Sequence, residues 1–297
     1  MEIKKVKRKK VKLKIGLSGA SGFGKTYSAL LLARGMSSSW DKIAVIDTEN
    51  GSASLYSNLG DYNTLELDQP FHPDRYIEAI QICQKAGMEV IIIDSITPEW
   101  SGKGGCLDIH EQEKKKMSRE NDYTAWNKVT PLHRKFIDSI LQSDCHIITT
   151  VRRKQDYDMV KEGEKTKVVK VGTKEETREG FEYELTINFE LINDKHYAKA
   201  SKDRTSLFMD REPFVIDDNI GKELILWHNE AEELETPTED LSNGKEELLK
   251  KIAYANLSEL GKLYNNLTED EKQDYSSYFK ERKAVILKET VAKHRLL

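Results

Sequence analysis

The residues of this chain with the clearest chemistry lie near its start, in a glycine-rich octapeptide that ends in lysine and threonine. They fit the pattern G-x-x-x-x-G-K-[ST] as Gly19, Ala20, Ser21, Gly22, Phe23, Gly24, Lys25 and Thr26. In this pattern backbone N–H groups surround a nucleotide β-phosphate, the lysine neutralises β- and γ-phosphate oxygens, and the threonine hydroxyl ligates Mg²⁺. The octapeptide therefore predicts a nucleoside-triphosphate site with ATP and Mg²⁺ as cofactors.

The sequence on either side has the periodicities that such a site needs. Residues 11–17 alternate apolar and polar side chains, which is typical of a strand, and residues 27–34 have the 3.6-residue spacing of a helix. A strand before the glycines and a helix after them is the context in which this turn binds phosphate. That context favours the phosphate site over an ordinary glycine-rich turn.

Two further apolar runs end in carboxylates and predict the rest of the phosphate site. Residues 42–47 and 90–94 are short buried strands that end in Asp47 and Asp94, with a helix between them that begins at Pro73. This alternation predicts a mostly parallel sheet, in which the strand ends share one edge. Asp94 is then expected beside the octapeptide, where it holds Mg²⁺ together with Thr26.

The water-activating base is less clear from the sequence. Many ATPases place a glutamate directly after the strand-ending aspartate, but here that position is Ser95. Glu49 follows Asp47 by two residues and faces the same edge, so it is the predicted base. Glu99 is the rival, and either residue could instead be a surface carboxylate.

These motifs resemble those of the RecA-like recombinase superfamily. In that family the catalytic glutamate lies in an I-D-x-E context, and the strand whose aspartate holds Mg²⁺ ends in Asp-Ser. The chain matches with residues 46–49 and 94–95. The resemblance is greatest to short phage-encoded RecA-like ATPases of single-strand annealing and recombination. It implies an α/β RecA-like P-loop NTPase core, with a mostly parallel twisted sheet flanked by helices and a C-terminal β-hairpin, plus a small C-terminal helical module.

The resemblance also implies roles for residues later in the chain. Thr149 is expected to sense the γ-phosphate at the end of its strand. Lys202 and Arg204 correspond to the basic pair that RecA-type protomers insert into a neighbour's nucleotide site. The segment 152–178 takes the place of the second DNA-binding loop, with Arg152, Arg153 and Lys154 on phosphates and Tyr157 stacked on a base. The same segment also fits a solvated mobile loop, because carboxylates dilute its charge.

Charge and composition suggest how the rest of the chain is organised. We expect a basic N-terminal arm at 1–10, the ATPase core at 11–229, an acidic linker at 230–243 and the helical module at 244–297. No run of about 20 apolar residues predicts a membrane span. The three cysteines form no C-x-x-C pair, which argues against disulfides and a zinc site and favours the cytoplasm. The resemblance to phage-encoded proteins implies the cytosol of a bacterial host.

The resemblance implies a DNA-stimulated ATPase that acts on single-stranded DNA in phage-type recombination, annealing or replication. The expected partners are single-stranded DNA, further copies in a ring or filament, and other phage recombination or replication proteins bound by the helical module. One alternative is an ATP-gated scaffold that does not hydrolyse ATP. Another is a small-molecule P-loop phosphotransferase or GTPase, although residues 127–130 depart from the guanine motif N-K-x-D at Thr130.

Overall fold

The computed structural model describes residues 8–116, 122–162 and 165–231, and in the C-terminal region residues 252, 255, 257–265, 267, 268, 272, 275, 276, 278–280, 282–284 and 286. For residues 122, 157–162, 165–171 and 258 it describes the backbone alone. The chain divides into two compact units, Met1–Glu233 and Leu234–Leu297.

The described strands of the first unit form one mixed sheet in the order β3-β2-β4-β5-β1-β7-β8-β9, with β6 paired to β5. Neighbours from β3 to β7 are parallel, and the pairs β7–β8, β8–β9 and β5–β6 are antiparallel. The strands are β1 Lys14–Gly19, β2 Ile43–Asp47, β3 Asn63–Glu66, β4 Val90–Asp94, β5 His146–Glu162, β6 Lys165–Glu175, β7 Ile187–Leu191, β8 Tyr197–Asp203 and β9 Phe214–Val215.

Helices cover both faces of this sheet. The helices of the first unit are α1 Lys25–Met36, α2 Pro73–Lys85, α3 Thr97–Ser101, α4 Cys106–Lys115, α5 Asp122–Leu141, α6 Phe181–Glu184 and α7 Asp218–Asn229, with 3-10 helices at Trp40–Lys42 and Ser52–Leu59. The second unit contains α8 Leu257–Asn265. One apolar cluster contains buried residues of α1 and α7, and a second contains those of α2 and α5. The predicted fold class, a mostly parallel α/β sheet flanked by helices with a later β-hairpin, is confirmed.

The strand register brings the candidate site together at the carboxyl edge of the sheet. Asp47 of β2 lies opposite Asp94 of β4, and Gly19 of β1 lies opposite Arg152 of β5. Strand β4 is buried along its whole length, as the unbroken apolar run before Asp94 requires of a central parallel strand. Residues from four separate segments of the sequence therefore meet at this edge of the sheet.

Two glycines let α1 and α7 pack closely behind the phosphate-binding loop. A Cβ on Gly35 would lie 2.0 Å from the backbone oxygen of Asp218, and one on Gly221 would lie 2.3 Å from that of Leu32. No side chain fits at such distances, so both positions need glycine. The contact fixes α1, whose first turn carries Lys25 and Thr26, against the rest of the core.

The prediction of a loop at 152–178 is wrong. Strand β5 continues beyond the sheet and pairs with β6, with a register shift between Asp156 and Tyr157, so that the two strands form a long antiparallel ribbon. The segment after β4 contains the helices α3 and α4. The segment that the resemblance predicted as the second DNA-binding loop is thus mainly regular secondary structure.

The described part of the second unit contains α8 and a small apolar cluster. Its buried members are Ile252, Ala255, Leu260, Tyr275 and Phe279.

Of the predicted linker, residues 232–243 lie outside the described residues, as do residues 1–7 of the basic arm. In the described part of that arm, the Arg8 guanidinium lies 4.5 Å from the ring centre of Trp227 in α7. No helix among the described residues is both long and apolar enough to cross a membrane.

Candidate functional site

The phosphate-binding loop joins the end of β1 to the start of α1. Gly22 and Gly24 have φ angles of 82° and 87°, a left-handed conformation that favours glycine and turns the backbone around a phosphate. The Lys25 ammonium donates to the carbonyl oxygen of Ala20 at 2.9 Å, so it lies folded over the loop. Burial lowers the pKa of Lys25, and the nearby Asp94 carboxylate opposes that shift.

The turn between β7 and β8 also contacts this loop, through a residue that the sequence analysis missed. The Nδ1 atom of His196 lies 2.9 Å from the carbonyl oxygen of Phe23. A Cβ on Gly24 would lie 2.7 Å from the same nitrogen. The imidazole therefore packs against the outer side of the loop and limits the side chain that position 24 accepts.

Asp94 lies at the centre of the predicted magnesium site. The Thr26 hydroxyl donates to one of its carboxylate oxygens at 2.6 Å, and the Thr150 hydroxyl donates to the other at 2.5 Å. Burial raises the pKa of Asp94, while the hydrogen bonds from Thr150 and Thr26 act in the opposite direction. The Thr26 and Asp94 oxygens are ligands that Mg²⁺ prefers, so the residues present fit this ion.

The polar side chain beside Asp94 is one residue later than predicted. Thr149 is fully buried, and its hydroxyl donates to the Ile15 carbonyl oxygen of β1 at 3.3 Å. Successive residues of a strand point to opposite faces, so Thr150 rather than Thr149 has its hydroxyl at the phosphate site. The sequence predicted Thr149, but it contains no signal that shows which of the two adjacent threonines faces Asp94.

Glu49 lies at the edge of the crevice, in a backbone turn that Asp47 fixes. The Asp47 carboxylate accepts hydrogen bonds from the backbone N–H groups of Glu49 at 2.7 Å and Ala53 at 2.8 Å. One carboxylate oxygen of Glu49 accepts from Arg152 Nε at 3.0 Å and Nη2 at 2.7 Å. The predicted base is therefore paired with the first residue of the predicted DNA-binding segment.

The rival base Glu99 lies in a different environment. It is fully buried in α3, and its carboxylate contacts the side chains of Cys106 and His133. The expectation that Glu99 could be a surface carboxylate is wrong. Because its oxygens contact α4 and α5, this carboxylate has partners other than the nucleotide-site residues.

The remaining predicted DNA-binding residues differ in how available their side chains are. The Arg153 side chain is 18% exposed and forms ion pairs with Glu175 and Glu190, so it holds the base of the ribbon to β7. Lys154 is 53% exposed and pairs with Glu176. The side chain of Tyr157 lies outside the described residues. Arg153 is therefore poorly placed for the predicted phosphate contact.

A groove of about 1140 Å³ lies beside the ribbon and was not predicted from the sequence. Its wall includes Trp100 and Trp126, whose rings stack with centres 5.7 Å apart, and the Arg178 guanidinium lies 5.8 Å from the Trp126 ring centre. The lining residues also include more carboxylates than cations: Asp156, Glu175, Glu176, Glu179, Glu182 and Glu190 against Arg153, Lys154, Lys174 and Arg178. This charge balance disfavours a phosphate backbone along the groove.

Lys202 and Arg204 lie near the amino ends of the parallel strands, whereas the phosphate-binding loop lies at their carboxyl ends. Both side chains donate to the carbonyl oxygen of Tyr183 in α6, Arg204 at 2.8 Å. Lys202 is registered with Asn188, whereas Gly19 is registered with Leu191 at the other end of β7. The pair is thus separated from the loop by roughly 10–17 Å along the strand direction.

Comparison with known proteins gives one family match and one similar solved structure of note. The family profile described as "AAA domain" matches residues 11–212, more than half of the chain. A KaiC-like protein from the hyperthermophilic archaeon Pyrococcus horikoshii is 17% identical, with a TM-score of 0.37 over 70% of this chain and 87% of that chain. No curated protein sequence matches.

Proposed function

Because the chain belongs to the AAA domain family, we propose that it binds ATP with Mg²⁺ at the loop of residues 19–26 and hydrolyses it when single-stranded DNA binds. The observation that carries the proposal is the ion pair between Glu49 and Arg152, which joins the nucleotide site to the base of the ribbon. The biological setting we propose is recombination, annealing or replication of phage type.

The residues of the crevice supply the parts that phosphoryl transfer to water requires. The backbone N–H groups of the loop bind the β-phosphate, and Lys25 moves from the Ala20 carbonyl to the β- and γ-phosphate oxygens. Thr26 and Asp94 would hold Mg²⁺, which would neutralise charge on the phosphates when bound. Thr150 holds the second oxygen of Asp94, so that the carboxylate keeps its orientation when the ion binds.

We assign Glu49 as the base that orients the attacking water. Its backbone is fixed by Asp47, and its carboxylate lies at the edge of the crevice. While Arg152 Nε and Nη2 donate to one oxygen of that carboxylate, that oxygen is occupied and is not available to accept a hydrogen bond from the attacking water. Hydrolysis is therefore slow until Arg152 leaves.

Single-stranded DNA provides the competing partner for Arg152. The Arg152 side chain is 49% exposed, so a backbone phosphate can reach it, and a guanidinium binds phosphate as readily as carboxylate. Transfer of Arg152 from Glu49 to a phosphate releases the base and links DNA binding to hydrolysis. Lys154 is exposed but lines the groove whose carboxylates disfavour a phosphate backbone, so the proposed coupling rests on Arg152.

The alternative of an ATP-gated scaffold predicts nucleotide binding without turnover. The phosphotransferase or GTPase alternative has less support, because residues 127–130 lie within α5, where Lys128 pairs with Glu113 and Val129 is fully buried. One assay separates these functions. ATP turnover is measured across a titration of single-stranded DNA, with duplex DNA as the control.

We expect turnover to rise at least about tenfold at saturating single-stranded DNA and to rise less with duplex DNA. ATP binding with no turnover at any DNA concentration would support the scaffold. Turnover that no nucleic acid changes would contradict the proposed coupling through Arg152 but not ATP hydrolysis itself.

A further inference from the structure

Three side chains with metal-binding atoms meet in the buried region between α3, α4 and α5. The Cys106 thiol lies 3.1 Å from one carboxylate oxygen of Glu99, and His133 Nδ1 lies 3.1 Å and 3.2 Å from the two oxygens. One donor atom from each residue lies within 4.8 Å of the others. We propose that Glu99, Cys106 and His133 bind a divalent cation of the zinc class.

The distances between the donor atoms suit such an ion. Zinc binds thiolate sulfur at about 2.3 Å and imidazole nitrogen or carboxylate oxygen at about 2.0–2.2 Å, so tetrahedral ligand atoms lie roughly 3.3–3.8 Å apart. The cluster has the sulfur–oxygen and nitrogen–oxygen distances at 3.1 Å. The Glu99 oxygen must therefore move away from the sulfur and the nitrogen by a few tenths of an ångström to admit an ion. The sulfur and the nitrogen lie within 4.8 Å of each other, and a water or other small ligand completes the fourth position.

Charge gives the second argument. Glu99 and Cys106 are fully buried and His133 is 5% exposed, so an ionised carboxylate here has lost its hydration. A divalent cation bound by one carboxylate, one thiolate and a neutral imidazole makes a site with no net charge, and it displaces the thiol proton.

The ligand types select the ion. One sulfur and one nitrogen with a single carboxylate favour Zn²⁺ over Mg²⁺ or Ca²⁺, which prefer oxygen ligands. The surrounding rings orient the histidine, since Trp100 lies edge-on to His133 with ring centres 5.4 Å apart.

A bound ion would join α3, which begins three residues after Asp94, to α4 and α5. This site goes beyond the proposed ATPase function, because it lies outside the phosphate crevice and uses different residues.

Cobalt titration tests the proposal directly. The untagged full-length chain is stripped with a chelator and titrated with Co²⁺ in the absence of nucleotide, and visible and near-ultraviolet absorption is recorded. Cobalt bound to a thiolate gives a charge-transfer band that cobalt at an all-oxygen phosphate site does not give. We expect one equivalent of Co²⁺, tetrahedral visible bands, and displacement by Zn²⁺.

Variants identify the ligands. Cys106→Ser is expected to lose the charge-transfer band and to raise the Kd for Co²⁺ at least about 100-fold, and His133→Gln is expected to raise it by a similar factor. Cys83→Ser, which changes another buried free cysteine, is the matched control and should bind as the parent does. Zn²⁺ should raise the Tm of the parent and of Cys83→Ser but not that of His133→Gln.

Absence of a thiolate band from the folded parent protein would overturn the proposal. So would a Co²⁺ affinity that His133→Gln leaves unchanged. If Cys106→Ser does not fold, the parent titration and His133→Gln still decide. All of these measurements are made without ATP, so loss of ATPase activity would count against the proposed function alone.

Discussion

Lys25 is the residue whose substitution has the most direct consequence. Lys25→Ala removes the cation that meets the β- and γ-phosphates, so we expect ATP affinity or turnover to fall at least about 100-fold while the fold is kept. Lys85→Ala, at an exposed position at the end of α2, is the control. Nucleotide binding by fluorescence anisotropy and phosphate release measure the two effects. Unchanged affinity and turnover in a folded variant would show that the loop is not the nucleotide site.

Glu49 provides the second test at the scale of residues. Glu49→Gln keeps the shape of the side chain and removes the base, so ATP should still bind while hydrolysis falls by about 10²-fold or more. Glu66→Gln is a matched control, because Glu66 ends the neighbouring strand β3 and is exposed. Single-turnover hydrolysis separates the chemical step from binding. Equal rates in the two variants would remove Glu49 from the mechanism.

Single residues also show where sequence reasoning fails. The spacing of Lys25 and Thr26 predicts their positions because backbone conformation in the phosphate loop is fixed by its glycines. Thr149 and Thr150 could not be distinguished, because the register of β5 decides which hydroxyl faces Asp94. The ion pair between Glu49 and Arg152 joins residues 103 positions apart, and no local pattern predicts it.

Among the elements, the ribbon of β5 and β6 connects two predicted functions. Arg152→Ala frees Glu49 and removes one cation from the base of the ribbon. We therefore expect ATP turnover without DNA to rise, stimulation by DNA to shrink, and the slope of log K against log salt for single-stranded DNA to fall by about 0.7. Lys174→Ala, which removes an exposed ribbon cation that pairs with Asp156, is the control. A lower basal turnover in Arg152→Ala would instead place this guanidinium on the nucleotide.

His146, the first residue of β5, is expected to make the stability of the fold depend on pH. His146 accepts a hydrogen bond from the Leu13 backbone N–H at Nδ1, and burial together with Lys12, His228 and Lys14 lowers its pKa to about 3. The unfolded chain, with a pKa near 6.5, then binds more protons than the folded one between pH 6.5 and 3. Stability should therefore fall as pH falls through this window, by at most about 1.4 kcal/mol per pH unit.

Chemical denaturation across pH 7 to 4 measures that loss. His146→Gln removes the titrating group, so its stability should depend less on pH than that of the parent, whatever its value at pH 7. His196→Gln, which changes an exposed histidine, should keep the pH dependence of the parent. Parallel curves for all three proteins would show that His146 is not the group responsible.

Elements differed in how well the sequence predicted them. The helix that begins at Pro73 and the strand that ends at Asp94 have the predicted bounds, because a proline at the first helical turn and an unbroken apolar run are local signals. The ribbon was predicted as a loop because its charged residues hide the β-branched positions 160, 166, 168, 169 and 171. Its strands have their partners in each other rather than in a core, so hydrophobic periodicity is weak there.

At the scale of the whole molecule, the order of elements was enough to predict the class of fold. Alternating strands and helices with short connections leave few arrangements, and a parallel sheet with helices on both faces is the common one. The cluster of Glu99, Cys106 and His133 could not be predicted in this way. Cysteine spacing argued against a metal site, but three helices bring its members together from positions 34 residues apart.

The last prediction concerns assembly and follows from the positions of two groups at opposite ends of the parallel strands. Lys202 and Arg204 lie at the end opposite the phosphate-binding loop, so a role on ATP requires the nucleotide site of a second copy. We expect Arg204→Ala and Lys25→Ala each to lose turnover and an equal mixture to regain part of it, because a mixed interface contains one intact site. Glu49→Gln mixed with Lys25→Ala is the control. Both of these changes affect the crevice of their own subunit, so that mixture should stay inactive. Turnover per subunit that is constant down to the monomer, with no recovery on mixing, would mean that each chain has a complete site and that the Tyr183 contact is the role of the pair.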